Sequence, residues 1–253
     1  EPFQMWGIQG DESLKERLPF VKAGLPGVFV TPDVTPYKKR KVRILNGAHT
    51  AFVPGSWVAG FDIVRDCMHD ETIRGFMNTM LYDEVIPTLA ADLDVEDCKA
   101  FAAAVENRFD NPFIDHALLS ICLNSTAKWR ARDLPTLKDY VAETGNLPKC
   151  LSTSLATLIA FYTQELVARE GDGLHLRRAD GTEYTAQDDA FVLDFYVAHA
   201  GVEDAELVHD VLTNEQMWGE DLTQIAGLEE FVVNALAVVR AEGVKQAFAN
   251  AQA

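Results

Sequence analysis

From about Asp70 onward, apolar residues recur every three or four positions, the period of an amphipathic helix. ETIRGFMNTMLYDEVIPTLA, VEDCKAFAAAVENRF, IDHALLSICLNSTAKW and LSTSLATLIAFYTQELVA each keep that period and are expected to be helical. The segment from about Asp188 to Phe248 has the same period with acidic faces. Earlier, the pattern differs. Residues 1–35 read as irregular or extended, with one short strand expected in GVFVTPD (Gly27–Asp33), closed by Pro32 and Asp33. Thr35 can cap a helix and Pro36 suits its first turn. That helix is expected to run through His49 to about Val53, where Pro54 and Gly55 interrupt it. A second apolar piece, SWVAGFDIV, continues the packing. GLHLRRADGTEYTA breaks the helical rhythm: short alternating arms flank Asp180-Gly181, which predicts a small hairpin near residues 174–186. The expected fold class is mainly α and multihelical, with a short extended N-terminal segment and that hairpin.

Composition narrows the class. With 48% hydrophobic residues over 253 positions, a sizeable core can be buried. Without a repeat or a low-complexity linker, residues 1–253 read as one domain. A net charge of -17 argues against nucleic acid or an anionic membrane as the main partner. The four cysteines, Cys67, Cys98, Cys122 and Cys150, are widely spaced and form no C-x-x-C pair. Zinc ribbons and redox motifs are therefore not expected, and reduced thiols suit a cytoplasmic protein. No apolar run reaches about 18 residues, so no membrane helix is read, and no signal peptide is seen. The opening EPFQMWGIQG has no initiator Met and no polar lead-in, as expected of the interior of a longer protein.

Candidate chemistry gathers in PYKKRKVRILNGAHT (Pro36–Thr50), where Lys38, Lys39, Arg40, Lys41 and Arg43 precede Asn46 and His49. A solvated basic helix face is the plain explanation, and a localisation signal a weaker one. Helical geometry offers another. At about 100° per residue, Lys41 and His49 are separated by roughly 80°, and Asn46 lies about 140° from Lys41 and about 60° from His49. An amine, an amide and an imidazole on one broad face can manage a single oxygen atom, the amine exchanging its proton and the others holding position. A lysine base must be partly neutral, which desolvation and neighbouring cations promote. A second basic cluster, NSTAKWRARDLP (Asn124–Pro135), either decorates a helix end with Lys128, Arg130 and Arg132 or binds an anionic substrate group. His69, His116, His175, His199 and His209 form no ligand set, so no metal is expected, and His69-Asp70-Glu71 reads as a helix start. GLPG and GDG are loop glycines; no G-x-G-x-x-G, P-loop or G-x-S-x-G is present.

The K-x4-N-x2-H pattern of Lys41, Asn46 and His49 resembles the signature of the long-chain polyol dehydrogenases, the mannitol dehydrogenase family. EPFQMW resembles that family's entry into its C-terminal domain. NRFDNPFIDHALLSICLNSTAKWRARDLP (Asn107–Pro135) is most similar to its tagaturonate reductase, or altronate oxidoreductase, branch. The similarity covers most of the chain and is clearest from Glu1 to about Thr163. It implies that Lys41 is the general acid/base, that Asn46 and His49 position and polarise the reacting oxygen, and that Lys128 contacts substrate. Mannitol-specific members carry an arginine where Ser120 stands and a glutamate where Lys38 stands. That change toward positive charge suits a substrate with its own carboxylate.

The resemblance further implies a helical C-terminal substrate and catalytic domain of a cytoplasmic, NAD-dependent enzyme interconverting tagaturonate and altronate by hydride transfer. The Rossmann domain that binds most of the NAD is absent from this chain and would be its partner within the same polypeptide. No metal, nucleic acid or membrane is implied. The rival readings are a relative acting on mannitol and fructose or on fructuronate and mannonate, and a non-catalytic helical interaction module with a solvated KKRK face.

Overall fold

A computed structural model describes residues 5–253; the first four residues of EPFQMW lie outside them. The chain packs as two compact units, a small one up to Val42 and a large one from Arg43 onward.

In the small unit, β1 (Trp6–Gln9) leads through α1 (Ser13–Arg17) and α2 (Pro19–Lys22) to β2 (Val28–Thr31). The two strands pair in parallel, Trp6 opposite Val28 and Gln9 opposite Thr31. A parallel pair needs a crossover, and the two short helices supply it. The sequence reading found β2 but not β1 or these helices, which are too short to show a period. Aromatic contacts hold the unit: Trp6 stacks on Phe20 with centroids 5.0 Å apart, and Phe29 meets Tyr37 at 4.9 Å. Tyr37 lies on α3 (Thr35–Arg40), whose first turn holds Pro36.

Beyond α3 the helix does not stop. It widens into a π turn, Lys41–Asn46, and tightens again as α4 (Gly47–Val58). Pro54, expected to interrupt the helix, sits inside it. Every α4 residue except His49 and Val58 is buried, and packing of that extent outweighs the hydrogen bond a proline removes.

The large unit continues with α5 (Val64–His69) and α6 (Glu71–Thr79), capped by Asp70, which accepts N–H bonds from Thr72 and Ile73. This is the helix start read from His69-Asp70-Glu71. A second π turn (Met80–Val85) and α7 (Val95–Phe109) follow, α7 over the span its period predicted. IDHALLSICLNSTAKW is not one helix. It divides into α8 (Leu118–Ile121) and α9 (Ser125–Arg132) at Asn124, whose φ of 54° is left-handed. Asparagine tolerates that region, and the Asn124 N–H is taken by the Gln187 carbonyl at 2.9 Å.

After α10 (Leu134–Thr144) comes α11 (Lys149–Tyr162), buried from Cys150 to its end. Ser154 Oγ, inside it, donates to the Leu151 carbonyl at 2.6 Å and accepts from Trp129 Nε1 at 2.9 Å. This helix and α4 form the centre of the core. The expected continuation of α11 to residue 168 does not occur. Beyond Tyr162 the apolar residues Leu166 and Val167 are exposed, and the backbone is satisfied instead by pairing β3 (Glu165–Glu170) with β4 (Gly173–Arg177). The expected hairpin is β4 with β5 (Glu183–Ala186), so the sheet has the order β3-β4-β5. Arg178 pins the hairpin turn, with its guanidinium 4.4 Å from the Trp57 ring centroid and Nη1 donating to the Trp57 carbonyl at 3.1 Å.

The remaining helices are α12 (Ala190–Ala198), α13 (Asp204–Leu212), α14 (Glu215–Trp218), α15 (Leu228–Glu242) and α16 (Val244–Ala251), as the acidic-faced period predicted. Helices α15 and α16 cover α11. All four cysteines are buried. Among the described residues no helix is long and apolar enough to cross a membrane.

Candidate active site

The π turn sets the geometry. Lys41 and Asn46 are the first and last residues of this turn, so the roughly 140° expected between them in an α-helix does not apply. His49 follows in the first turn of α4.

The basic run is not uniformly solvated. Lys38 and Lys41 are exposed, whereas Arg40 and Arg43 are buried. Arg43 Nη1 donates to Thr136 Oγ1 at 2.6 Å, and Nη2 stands 3.0 Å from Asp139 Oδ2. The charge is thus an anchor from the π turn to α10.

Asn46 and His49 each bring a polar atom that the described residues leave unused. Asn46 Oδ1 and His49 Nε2 are buried without a hydrogen-bond partner. Such atoms are uncommon in a folded chain and call for a ligand or a chemical role. The His49 ring stacks on Phe109, with centroids 4.0 Å apart and planes 17° from parallel. Its pKa is pushed down to about 3, first by burial and then by the charges of His116, Arg132, Arg108 and Lys128. The imidazole is therefore neutral at physiological pH.

His116, for which the spacing of residues suggests no role, stands edge-on to His49 with centroids 5.5 Å apart. No spacing rule connects positions so far apart. The backbone does, because Val64 N–H bonds the His116 carbonyl at 3.0 Å and Leu118 N–H bonds that of Asp62 at 2.9 Å. Thr50 was also missed. Its hydroxyl donates to the Asn46 carbonyl at 3.0 Å and accepts from Arg132 Nη1 at 3.0 Å.

The second basic cluster divides. Lys128 and Arg132, four residues apart on α9, share a face and both bear on His49. Arg130 lies elsewhere, with its guanidinium beside Gly219. Lys128 Nζ donates to the Ile121 carbonyl at 2.9 Å, and its pKa is lowered, by burial first and the Arg132 charge second. Ser120 is exposed and bonds the Ala117 carbonyl at 2.7 Å. The other histidines pair locally: His69 with Asp110, His175 with Thr185, His199 with Asp210 and His209 with Glu229.

Residues 33–240 match the model of the mannitol dehydrogenase C-terminal domain. The chain is 40% identical over 98% of its length to the altronate oxidoreductase of Yersinia enterocolitica and covers 50% of that protein. It is 43% identical, again over 98%, to that of Pectobacterium carotovorum, covering 50%. It therefore spans about half the length of these curated relatives. Among solved structures, Pseudomonas fluorescens mannitol 2-dehydrogenase in a ternary complex with NAD and D-mannitol superposes with a TM-score of 0.78. That similarity covers 99% of this chain and 46% of the other at 21% identity. A substrate-free D-sorbitol dehydrogenase gives 0.71 at 20% identity, over 91% and 43% of the two chains. At these identities the likeness is one of fold.

Proposed function

This chain belongs to the mannitol dehydrogenase family as its C-terminal domain, and on that premise we propose that it is the substrate-binding and catalytic half of a cytoplasmic NAD-dependent oxidoreductase interconverting tagaturonate and altronate. The relatives at about 40% identity named altronate oxidoreductase support the substrate. The NAD of the mannitol 2-dehydrogenase complex supports the cofactor. The open edges of Asn46 and His49 fit a substrate oxygen. No glycine-rich strand–helix turn is present here to hold dinucleotide phosphates, so that task falls to a Rossmann domain of the same polypeptide.

NAD, when bound, supplies or takes the hydride. The residues of this chain manage the oxygen and its proton. In oxidation the Lys41 amine accepts the hydroxyl proton as hydride leaves the same carbon. In reduction the Lys41 ammonium returns a proton to the oxygen. His49 is held neutral, so it stabilises developing charge by a hydrogen bond rather than by giving up a proton. The Asn46 amide fixes the oxygen from one turn earlier. Lys41 is exposed, so the desolvation a lysine base needs comes from what covers it in the assembled enzyme.

The observation that carries this reading is the neutral His49 imidazole, whose Nε2 is buried and unpartnered as is Asn46 Oδ1 three residues earlier. Its test is Lys41→Ala in the full-length protein with altronate and NAD. Turnover should fall by about 100-fold or more. Activity within about threefold of the parent removes Lys41 from the role of proton carrier.

A further inference from the structure

Most arginines of the large unit stand against a carboxylate, among them Arg43 on Asp139, Arg65 on Asp115 and Arg169 on Asp194. Arg132 does not. It is half-buried, yet no carboxylate lies within ion-pair distance among the described residues, in a chain with 39 acidic and 22 basic side chains. Its hydrogen bond goes to a neutral hydroxyl, Thr50 Oγ1, and its other guanidinium N–H groups have no partner among the described residues. The adjacent Asp133 is fully buried with Oδ2 unpartnered; its charge acts on Arg132, but the two make no ion pair, and burial raises the Asp133 pKa well above its ordinary value.

Lys128 shares the same face of α9 and spends one of its three donors on a carbonyl. Two like charges are thus held side by side, partly desolvated, which is costly unless an anion joins them. Their place is specific. Arg132 is two hydrogen bonds from the Asn46 backbone, through Thr50, and Thr50 lies four residues, about 6 Å of helix axis, beyond Asn46. A short polyhydroxy chain with its reacting oxygen at Asn46 and His49 is long enough to reach this region.

We propose that Arg132, with Lys128 beside it, binds the carboxylate of the substrate and is the residue by which the site selects a sugar acid over a neutral polyol. A guanidinium offers two parallel N–H groups to a carboxylate, a fit that a hydroxymethyl group cannot reproduce. The assignment rests on the dehydrogenase reading above.

The test compares, in the full-length enzyme with NAD, kcat/KM for altronate and for the alditol in which a hydroxymethyl group replaces the carboxylate. In Arg132→Gln the acid-to-alditol ratio should fall about 10- to 100-fold, chiefly through KM for the acid, and Arg132→Lys should recover part of it. Arg130→Gln removes a charge of the same helix that lies beside Gly219, away from the site, and should leave the ratio within about threefold of the parent. An unchanged ratio in Arg132→Gln, or an equal loss in Arg130→Gln, overturns the proposal. If the parent enzyme turns over no acid at all, the dehydrogenase reading fails separately. Calorimetric titration of altronate into the NAD-loaded parent and Arg132→Gln proteins then decides. Binding at least tenfold weaker in the variant upholds the carboxylate site; equal affinity, or no binding to the parent, overturns it.

Discussion

Both oxygens of Glu84 accept backbone N–H groups at the start of α11, from Cys150 at 2.7 Å and from Leu151 at 2.9 Å. A carboxylate from the second π turn thus caps the most buried helix of the fold, where the helix dipole favours negative charge.

That cap makes stability depend on pH. Burial raises Glu84 from an ordinary 4.5 to about 7, and the two N–H bonds oppose it without winning. The folded chain therefore holds this proton more tightly than the unfolded chain. Stability from this group is complete below about pH 4.5 and is lost as pH rises through about 7, by about 3 kcal/mol. Glu84→Gln keeps an acceptor but cannot ionise. Urea denaturation between pH 4.5 and 8 should show the parent losing about 3 kcal/mol relative to this variant. A difference that is flat across the range contradicts the assignment.

A different property of the core is tested at Gly55. A Cβ there meets Phe248 Cζ at 2.7 Å and Thr157 Cβ at 3.0 Å. Phe248 cannot retreat, because it is fully buried and stacked on Phe76 with centroids 3.9 Å apart. Gly55→Ala gains about 1 kcal/mol in helix propensity but overpacks the junction of α4, α11 and α16 at a cost of about 1–3 kcal/mol. Net destabilisation of about 0–2 kcal/mol is expected by chemical denaturation. A variant more stable than the parent shows that this junction is loose.

These features differ in how far the sequence reveals them. The 3.6-residue period located α7 and the C-terminal helices because each hides one face and wets the other. The same period misled at residues 163–168, where Leu166 and Val167 serve a strand as readily as a helix. It also missed the π turn, since one widened turn leaves the apolar spacing on either side intact. The Lys41, Asn46 and His49 pattern is local and could be read directly. Arg132 and His116 take on meaning only when distant segments meet. An arginine lacking a counter-ion cannot be recognised until all the carboxylates have been placed.

Histidine protonation provides a direct probe of the site. His49 is lowered from an ordinary 6.5 to about 3, so the unfolded chain takes up its proton more readily than the folded chain. Its contribution to stability is complete above about pH 6.5 and declines as pH falls toward 3. In the full-length protein, nitrogen-15 NMR should find the His49 ring neutral at pH 5, and the pH–rate profile should lack a limb from its ionisation. A His49 midpoint between pH 6 and 7 is incompatible with the buried setting described here.

The positioning of α9 rests on Asp188. One of its oxygens accepts the Thr126 N–H at 3.0 Å and the Tyr162 hydroxyl proton in a very short bond, while the other takes the Asp189 N–H at 2.8 Å. One carboxylate therefore joins the start of α9, the end of α11 and the start of α12, and α9 carries Lys128 and Arg132. Asp188→Asn keeps the shape but weakens these bonds, and should cost about 2–4 kcal/mol of stability because its partners are buried. Tyr162→Phe should cost about 1–3 kcal/mol. A double-mutant cycle separates the shared bond from the rest: a coupling energy of about 1–3 kcal/mol is expected between the two sites. Additivity within about 0.5 kcal/mol would show that the pair does not hold α9 in place.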